Sequence, residues 1–178
     1  MKKNYLLAGV IGSAFIALMI LFALGLKNNP NELDLVTKGQ KIPEFSLPSL
    51  TDDKTISNTD LRSDKGYYLL NFWGSWCPSC YQEHPYLMEL AKTETIYGVN
   101  WKDERKDGLA FIRQLGNPYT KIITDNDSEL AIGLGVYGAP ETYLIKTDGT
   151  IIYRYAGAMD GGVAKRIFTK NQIIEVGR

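Results

Sequence analysis

Cys77 and Cys80 are the only cysteines of the 178-residue chain, and they stand three apart in Cys77-Pro78-Ser79-Cys80. Positions three apart on a helix share a face at the short Cα separation a disulfide needs, so this pair can open and close without rebuilding backbone. Unpaired N–H groups and the positive end of the macrodipole at a helix start stabilise a thiolate, and Pro78 suits a first-turn position that needs no donor. The expected chemistry is thiol–disulfide exchange, with Cys77 as nucleophile and Cys80 as resolving thiol. The other reading, a structural disulfide, is weak because so small a loop constrains the unfolded chain little.

Neighbouring motifs bound this chemistry. Tyr81, not histidine, follows Cys80, so the chain is not itself a CxxCH haem-attachment site. Cys77, Cys80 and His84 offer three metal donors, but no fourth is evident and redox chemistry already accounts for two. No metal and no cofactor beyond the cysteine pair is expected. Glu83, six residues after Cys77, reads by spacing as a solvated carboxylate favouring the helix N-terminus. Gly133-Leu134-Gly135-Val136-Tyr137-Gly138 matches GxGxxG literally, but Pro140 and a strand follow it where a dinucleotide site opens a helix. Asp125-Asn126-Asp127 lacks the glycine and glutamate of a calcium loop.

A buried strand over Gly66–Trp73 delivers the cysteines, and a helix from Pro78 to about Lys92 carries them. Thr95–Trp101 reads as a second strand, making a βαβ unit. A helix over Lys106–Leu115 stops at Gly116, and Lys121–Thr124 is a short strand. Ser128–Leu134 makes a short helix with Ser128 as its cap. Strands Glu141–Lys146 and Thr150–Tyr155 join through Thr147-Asp148-Gly149, a strong hairpin signal. Asp160–Lys170 forms a capped helix that turns Val163, Ile167 and Phe168 inward. Upstream, Pro43–Pro48 and Lys54–Ser57 suggest a small edge hairpin. The fold class is α/β: a mixed sheet flanked by helices, resembling the thioredoxin fold.

Tyr5–Leu26 carries no charge for 22 residues, and as a helix at about 1.5 Å per residue it reaches the roughly 30 Å hydrocarbon thickness. Its length exceeds a usual signal-peptide core of about 7 to 15 residues, so an uncleaved anchor is expected rather than cleavage near Ala23-Leu24-Gly25. Lys2 and Lys3 orient the remainder outward. The expected organisation is an anchor over 1–26, a tether over 27–41 and a domain over 42–178. The 20 basic and 20 acidic residues balance, which excludes the basic surface of a nucleic-acid binder.

Asn71–Cys80, Glu83-His84 and Gly135–Thr142 together resemble the thiol:disulfide interchange proteins of cytochrome c maturation, the DsbE/CcmG group. Ile42–Pro48, Gly116–Tyr119 and the N-terminal segment fit it too. The resemblance implies a single-pass protein of the bacterial inner membrane with its domain in the periplasm, and nothing in the chain demands more than a monomer. It implies a reductant of disulfides in apocytochrome c CxxCH motifs or in a maturation partner, itself re-reduced by a membrane electron donor of the DsbD/CcdA kind. It assigns Glu83 and Glu141 to tuning the cysteines and taking up protons. A cis Ala139–Pro140 bond would face the cysteines and present backbone to substrate, with Trp76 and Pro78 beside it. Ordinary thioredoxins carry a buried Asp where Asn71 stands, which removes one proton acceptor. A module that only holds apocytochrome, and an exported metallochaperone, are the alternatives.

Overall fold

The computed structural model describes residues 2–25 and 38–170. The chain divides into two compact units, Met1–Glu32 and Leu33–Arg178. In the first, α1 (Lys2–Gly25) is a 24-residue helix rich in Leu, Ala and Ile with no polar face. Among the described residues no helix is long and apolar enough to cross a membrane. The side chains described in α1 run from Ile11 to Leu24. Each large hydrophobic among them is exposed, Leu21 at 68%. Positions 27–37 of the expected tether lie outside the described residues.

In the second unit, β1 (Ser46–Pro48) and β2 (Thr55–Ser57) form the expected small hairpin, with Leu47 opposite Ile56 and both buried. The main sheet has five strands, β3 (Tyr67–Trp73), β4 (Ile96–Trp101), β5 (Ile122–Asp125), β6 (Glu141–Lys146) and β7 (Ile151–Ala156), in the order β5-β4-β3-β6-β7. The parallel steps from β3 to β4 and from β4 to β5 cross over through α2 (Pro78–Leu90) and α3 (Arg105–Leu115). Strand β6 returns antiparallel to β3, and β7 pairs antiparallel with β6. Gly149, at φ 86°, takes the left-handed conformation that the turn between them requires.

The near-continuous apolar run of β3 follows from burial on both faces. Tyr68, Leu70 and Phe72 pack with Val99, Tyr143 and Ile145 beneath α4 (Glu129–Leu134) and the small hairpin. Leu69 and Trp73 face the other way, onto α2, α3 and α5 (Gly161–Lys170), with Leu87, Phe111 and Val163. Asp160 caps α5 as expected, accepting from Val163 N–H at 2.8 Å. Ser128 does not cap α4. It sits at φ 63° without a capping bond, and its hydroxyl accepts from Trp101 Nε1 at 2.9 Å. The Asp125 carboxylate replaces it, accepting from Ala131 N–H at 2.8 Å and Leu130 N–H at 3.4 Å, because β5 ends with that side chain aimed at the helix start.

Trp73 stacks on Tyr119 at 5.6 Å and an interplanar angle of 12°, directly over Gly98. A Cβ at Gly98 would lie 2.8 Å from Tyr119 Cγ and 2.9 Å from Trp73 Nε1. Gly98→Ala is therefore expected to lower unfolding free energy by about 1–3 kcal/mol, the usual cost of overpacking. Urea unfolding followed by tryptophan fluorescence measures it; an unchanged midpoint would refute the packing assignment.

Candidate active site

The end of β3 hands the chain to a short loop and then to α2. Gly74 leaves room for the Trp76 indole, which a Cβ there would overlap. Trp76 turns its edge toward Trp101, donates from Nε1 to the Trp101 carbonyl at 3.1 Å, and remains 49% exposed. Cys77 occupies the N-cap of α2, with Pro78 in the first turn and exposed. Its sulfur accepts from Cys80 N–H at 3.2 Å, which places Sγ where helix N–H groups stabilise a thiolate once the pair is reduced. Here the pair is joined as a disulfide with Cα atoms 5.3 Å apart. Both residues are buried beneath the loop.

Behind the cysteines, Glu83 is buried and meets only neutral donors. Asn71 Nδ2 donates to Oε1 at 3.0 Å and Met159 N–H to Oε2 at 2.9 Å. Desolvation pushes its carboxyl up from 4.5 to about 7, against the lowering by those two bonds. Asn71 also donates to Thr142 Oγ1 and accepts from the Tyr119 hydroxyl at 2.9 Å. Burial, reinforced by Glu83, holds the Tyr119 hydroxyl well above its ordinary range, so it stays a donor. The solvated carboxylate that spacing alone suggested at Glu83 is thus the centre of a buried polar network.

Glu141 is equally buried but differently placed. It forms an ion pair with Arg154 and accepts from the Tyr143 hydroxyl. Strand register explains the separation. Glu141 stands opposite Phe72 and shares its face of the sheet, whereas Thr142 stands opposite Asn71 on the face that α2 covers. The two glutamates expected to act on the cysteines therefore belong to separate networks on opposite faces. The Ala139–Pro140 bond is cis, as expected. Pro140 is buried, Ala139 is partly buried against both core clusters, and the Pro140 carbonyl accepts from Gly157 N–H at 2.8 Å. His84 Nε2 meets the Gly116 carbonyl at 3.1 Å, and burial pushes the ring's proton affinity down.

Three residues of these networks, Tyr119, Thr142 and Arg154, carry no local sequence signal, and neither does Asp103, which stands apart from both. The Asp103 carboxylate accepts from Ser75 N–H, the Ser75 hydroxyl and Asn100 Nδ2. Its place after the carboxyl end of a parallel strand, where α/β folds build their sites, was the one available clue.

The chain matches the Redoxin family model over residues 37–170. It is 38% identical over 164 residues to the thiol:disulfide interchange protein DsbE of Escherichia coli K12, covering 90% of this chain and 89% of that protein. The DsbE protein of Pseudomonas aeruginosa is 41% identical over 162 residues, with 90% and 88% covered. The chain belongs to the DsbE family. Among solved structures, a thiol-disulfide oxidoreductase from Bacteroides fragilis superposes with a TM-score of 0.61 at 23% identity, covering 74% of this chain and 98% of that one. A DsbF homologue from Corynebacterium diphtheriae gives 0.63 at 21%, with 80% and 96% covered. These likenesses establish the thioredoxin-like fold. As a DsbE-family protein the chain is a thiol:disulfide oxidoreductase, and Cys77-Cys80 is its cysteine pair.

The raised carboxyl of Glu83 predicts a pH dependence. A group that binds its proton more tightly when folded contributes stability at low pH that is lost as pH rises through its folded value. With a folded value of about 7, lowering pH from 7.5 to 5.5 should add about 2 kcal/mol to wild type relative to Glu83→Gln. His84, depressed when folded, opposes this in both proteins and cancels in the comparison. Urea unfolding of the oxidised forms at the two pH values measures the difference; parallel pH responses would refute the burial of the charge.

Proposed function

We propose that the protein is a membrane-tethered dithiol reductant of cytochrome c maturation. The observation that carries this reading is a cysteine pair at a helix N-terminus backed by a proton-binding carboxyl, in a chain of the DsbE family. Cys77 thiolate attacks one sulfur of a substrate disulfide, forms a mixed disulfide and expels the other sulfur as a thiolate. Cys80 then attacks Cys77 Sγ, releasing the second substrate sulfur and closing the Cys77–Cys80 disulfide. Two electrons pass to the substrate, and the proton lost by Cys80 goes to Glu83, one helical turn onward. A carboxyl titrating near 7 accepts and returns that proton near neutrality. A buried negative charge there also opposes the helix dipole and holds the thiols less acidic, which favours a reducing pair.

Glu141, neutralised by Arg154, serves to hold the start of β6 and so the Ala139–Pro140 backbone. Trp76 and Pro78 are exposed beside the cysteines in the chain, and in this reading an extended peptide binds there and along the Ala139–Pro140 backbone. The substrates are the disulfide of an apocytochrome c CxxCH motif or of a maturation partner, and a membrane donor of the DsbD/CcdA kind restores the dithiol. The uncharged Tyr5–Leu26 segment, helical over Lys2–Gly25, is the anchor, with the domain in the periplasm. The domain acts as a monomer, and the cysteine pair is its whole redox apparatus.

Cys80→Ala should strand substrate on Cys77 as a mixed disulfide, identifiable by non-reducing electrophoresis and mass spectrometry from cells making c-type cytochromes. Cys77→Ser/Cys80→Ala should lose the adduct and cytochrome c maturation together. Intact maturation with Cys77→Ser would overturn the reading in favour of a holding role. A reduction potential as oxidising as that of DsbA would overturn its direction.

A further inference from the structure

We propose that Asp103 is a positioning residue for exchange at Cys77, acting as a latch on the loop that presents the thiol. The inference rests on the oxidoreductase activity of the cysteine pair. Asp103 is only 7% exposed, and no lysine or arginine among the described residues pairs with it. Its carboxylate instead gathers three neutral donors: Ser75 N–H at 2.7 Å, Ser75 Oγ at 2.6 Å and Asn100 Nδ2 at 2.7 Å. Two of the three belong to a residue just before Trp76 and Cys77. A buried charge held this way is costly to build for stability alone, since a neutral acceptor would avoid the desolvation.

Two further features prepare the latch. Lys102, at φ 47°, adopts a left-handed backbone that few non-glycine residues take up, and it turns the chain so that Asp103 follows directly off β4. Asn100 is accommodated because Gly108 lacks a side chain; a Cβ there would lie 2.8 Å from Asn100 Oδ1. The same turn supplies the Trp101 carbonyl that holds the Trp76 indole. The end of β4 thus grips two consecutive residues of the redox loop, one by carboxylate and one by carbonyl. A sub-ångström shift of a nucleophile is enough to lower a rate by one to two powers of ten.

Reduced protein reacted with oxidised glutathione across a pH series tests the latch. Removing a charge moves the pH at which the rate rises, whereas misplacing Sγ lowers the plateau reached once Cys77 is fully ionised. The plateau should fall about 10-fold in Asp103→Asn, whose amide adds a donor where donors already converge, and about 3-fold in Ser75→Ala. The double variant should be no slower than Asp103→Asn alone, because the Ser75 hydroxyl acts through the Asp103 carboxylate. A wild-type plateau in folded Asp103→Asn, or losses that multiply in the double variant, would overturn the proposal. Should Asp103→Asn fail the melting check, an unchanged plateau in Ser75→Ala overturns it equally. Absent exchange in wild type would instead remove the oxidoreductase reading beneath it.

Discussion

Glu83 is a carboxylate sealed from water without a cation, and much of the domain is arranged around that fact. Burial alone would make it a weak acid of little use near neutrality. Two neutral hydrogen bonds bring its proton affinity back to about 7. Glu141 shows the other solution to the same problem. Equally buried, it faces the guanidinium of Arg154 across an ion pair. One glutamate is kept able to exchange a proton, and the other is tied to β7 through Arg154.

The hydrogen-bond network around Glu83 draws on distant parts of the chain. Asn71 lies on the central strand, Tyr119 in the turn before β5, Thr142 on β6, and Met159 in the link to α5. Asn71 uses both amide hydrogens and accepts one bond on its oxygen, so replacing a partner leaves a buried polar group short of a bond. This explains why an amide can sit at the middle of a strand buried on both faces. It also links the carboxyl behind the cysteines to the lead-in of α5, since Met159, whose N–H bonds Glu83, packs in one core cluster with Val163, Ile167 and Phe168.

The front of the site follows a different principle. The cysteines are covered, so access depends on Trp76 and on the loop that carries it. That loop has no secondary structure of its own and is held by the strand beside it through Asp103 and the Trp101 carbonyl. A loop held from a neighbouring rigid element can present a reactive atom accurately while leaving an exposed aromatic face for a partner. Trp76, next to Cys77, is 49% exposed, whereas the back of the site is polar and closed.

The sequence by itself determined the order of the elements, the cysteine pair at a helix start, and the proline before β6. Each of these depends on local chemistry: a two-sided apolar run, a CxxC spacing, an Asp-Gly turn, an Asp at a helix cap. It misjudged Ser128, because the αL backbone there spends the hydroxyl on Trp101 while Asp125 caps from the strand. It could not separate Glu83 from Glu141, nor see Asp103, Tyr119 or Arg154. Their roles are set by which residues strand register and helix docking bring within 3 Å, and a one-residue difference in register is enough to move a side chain to the opposite face. Burial of Glu83, unlike the spacing of the cysteines, exists only once the sheet and three helices have closed around it.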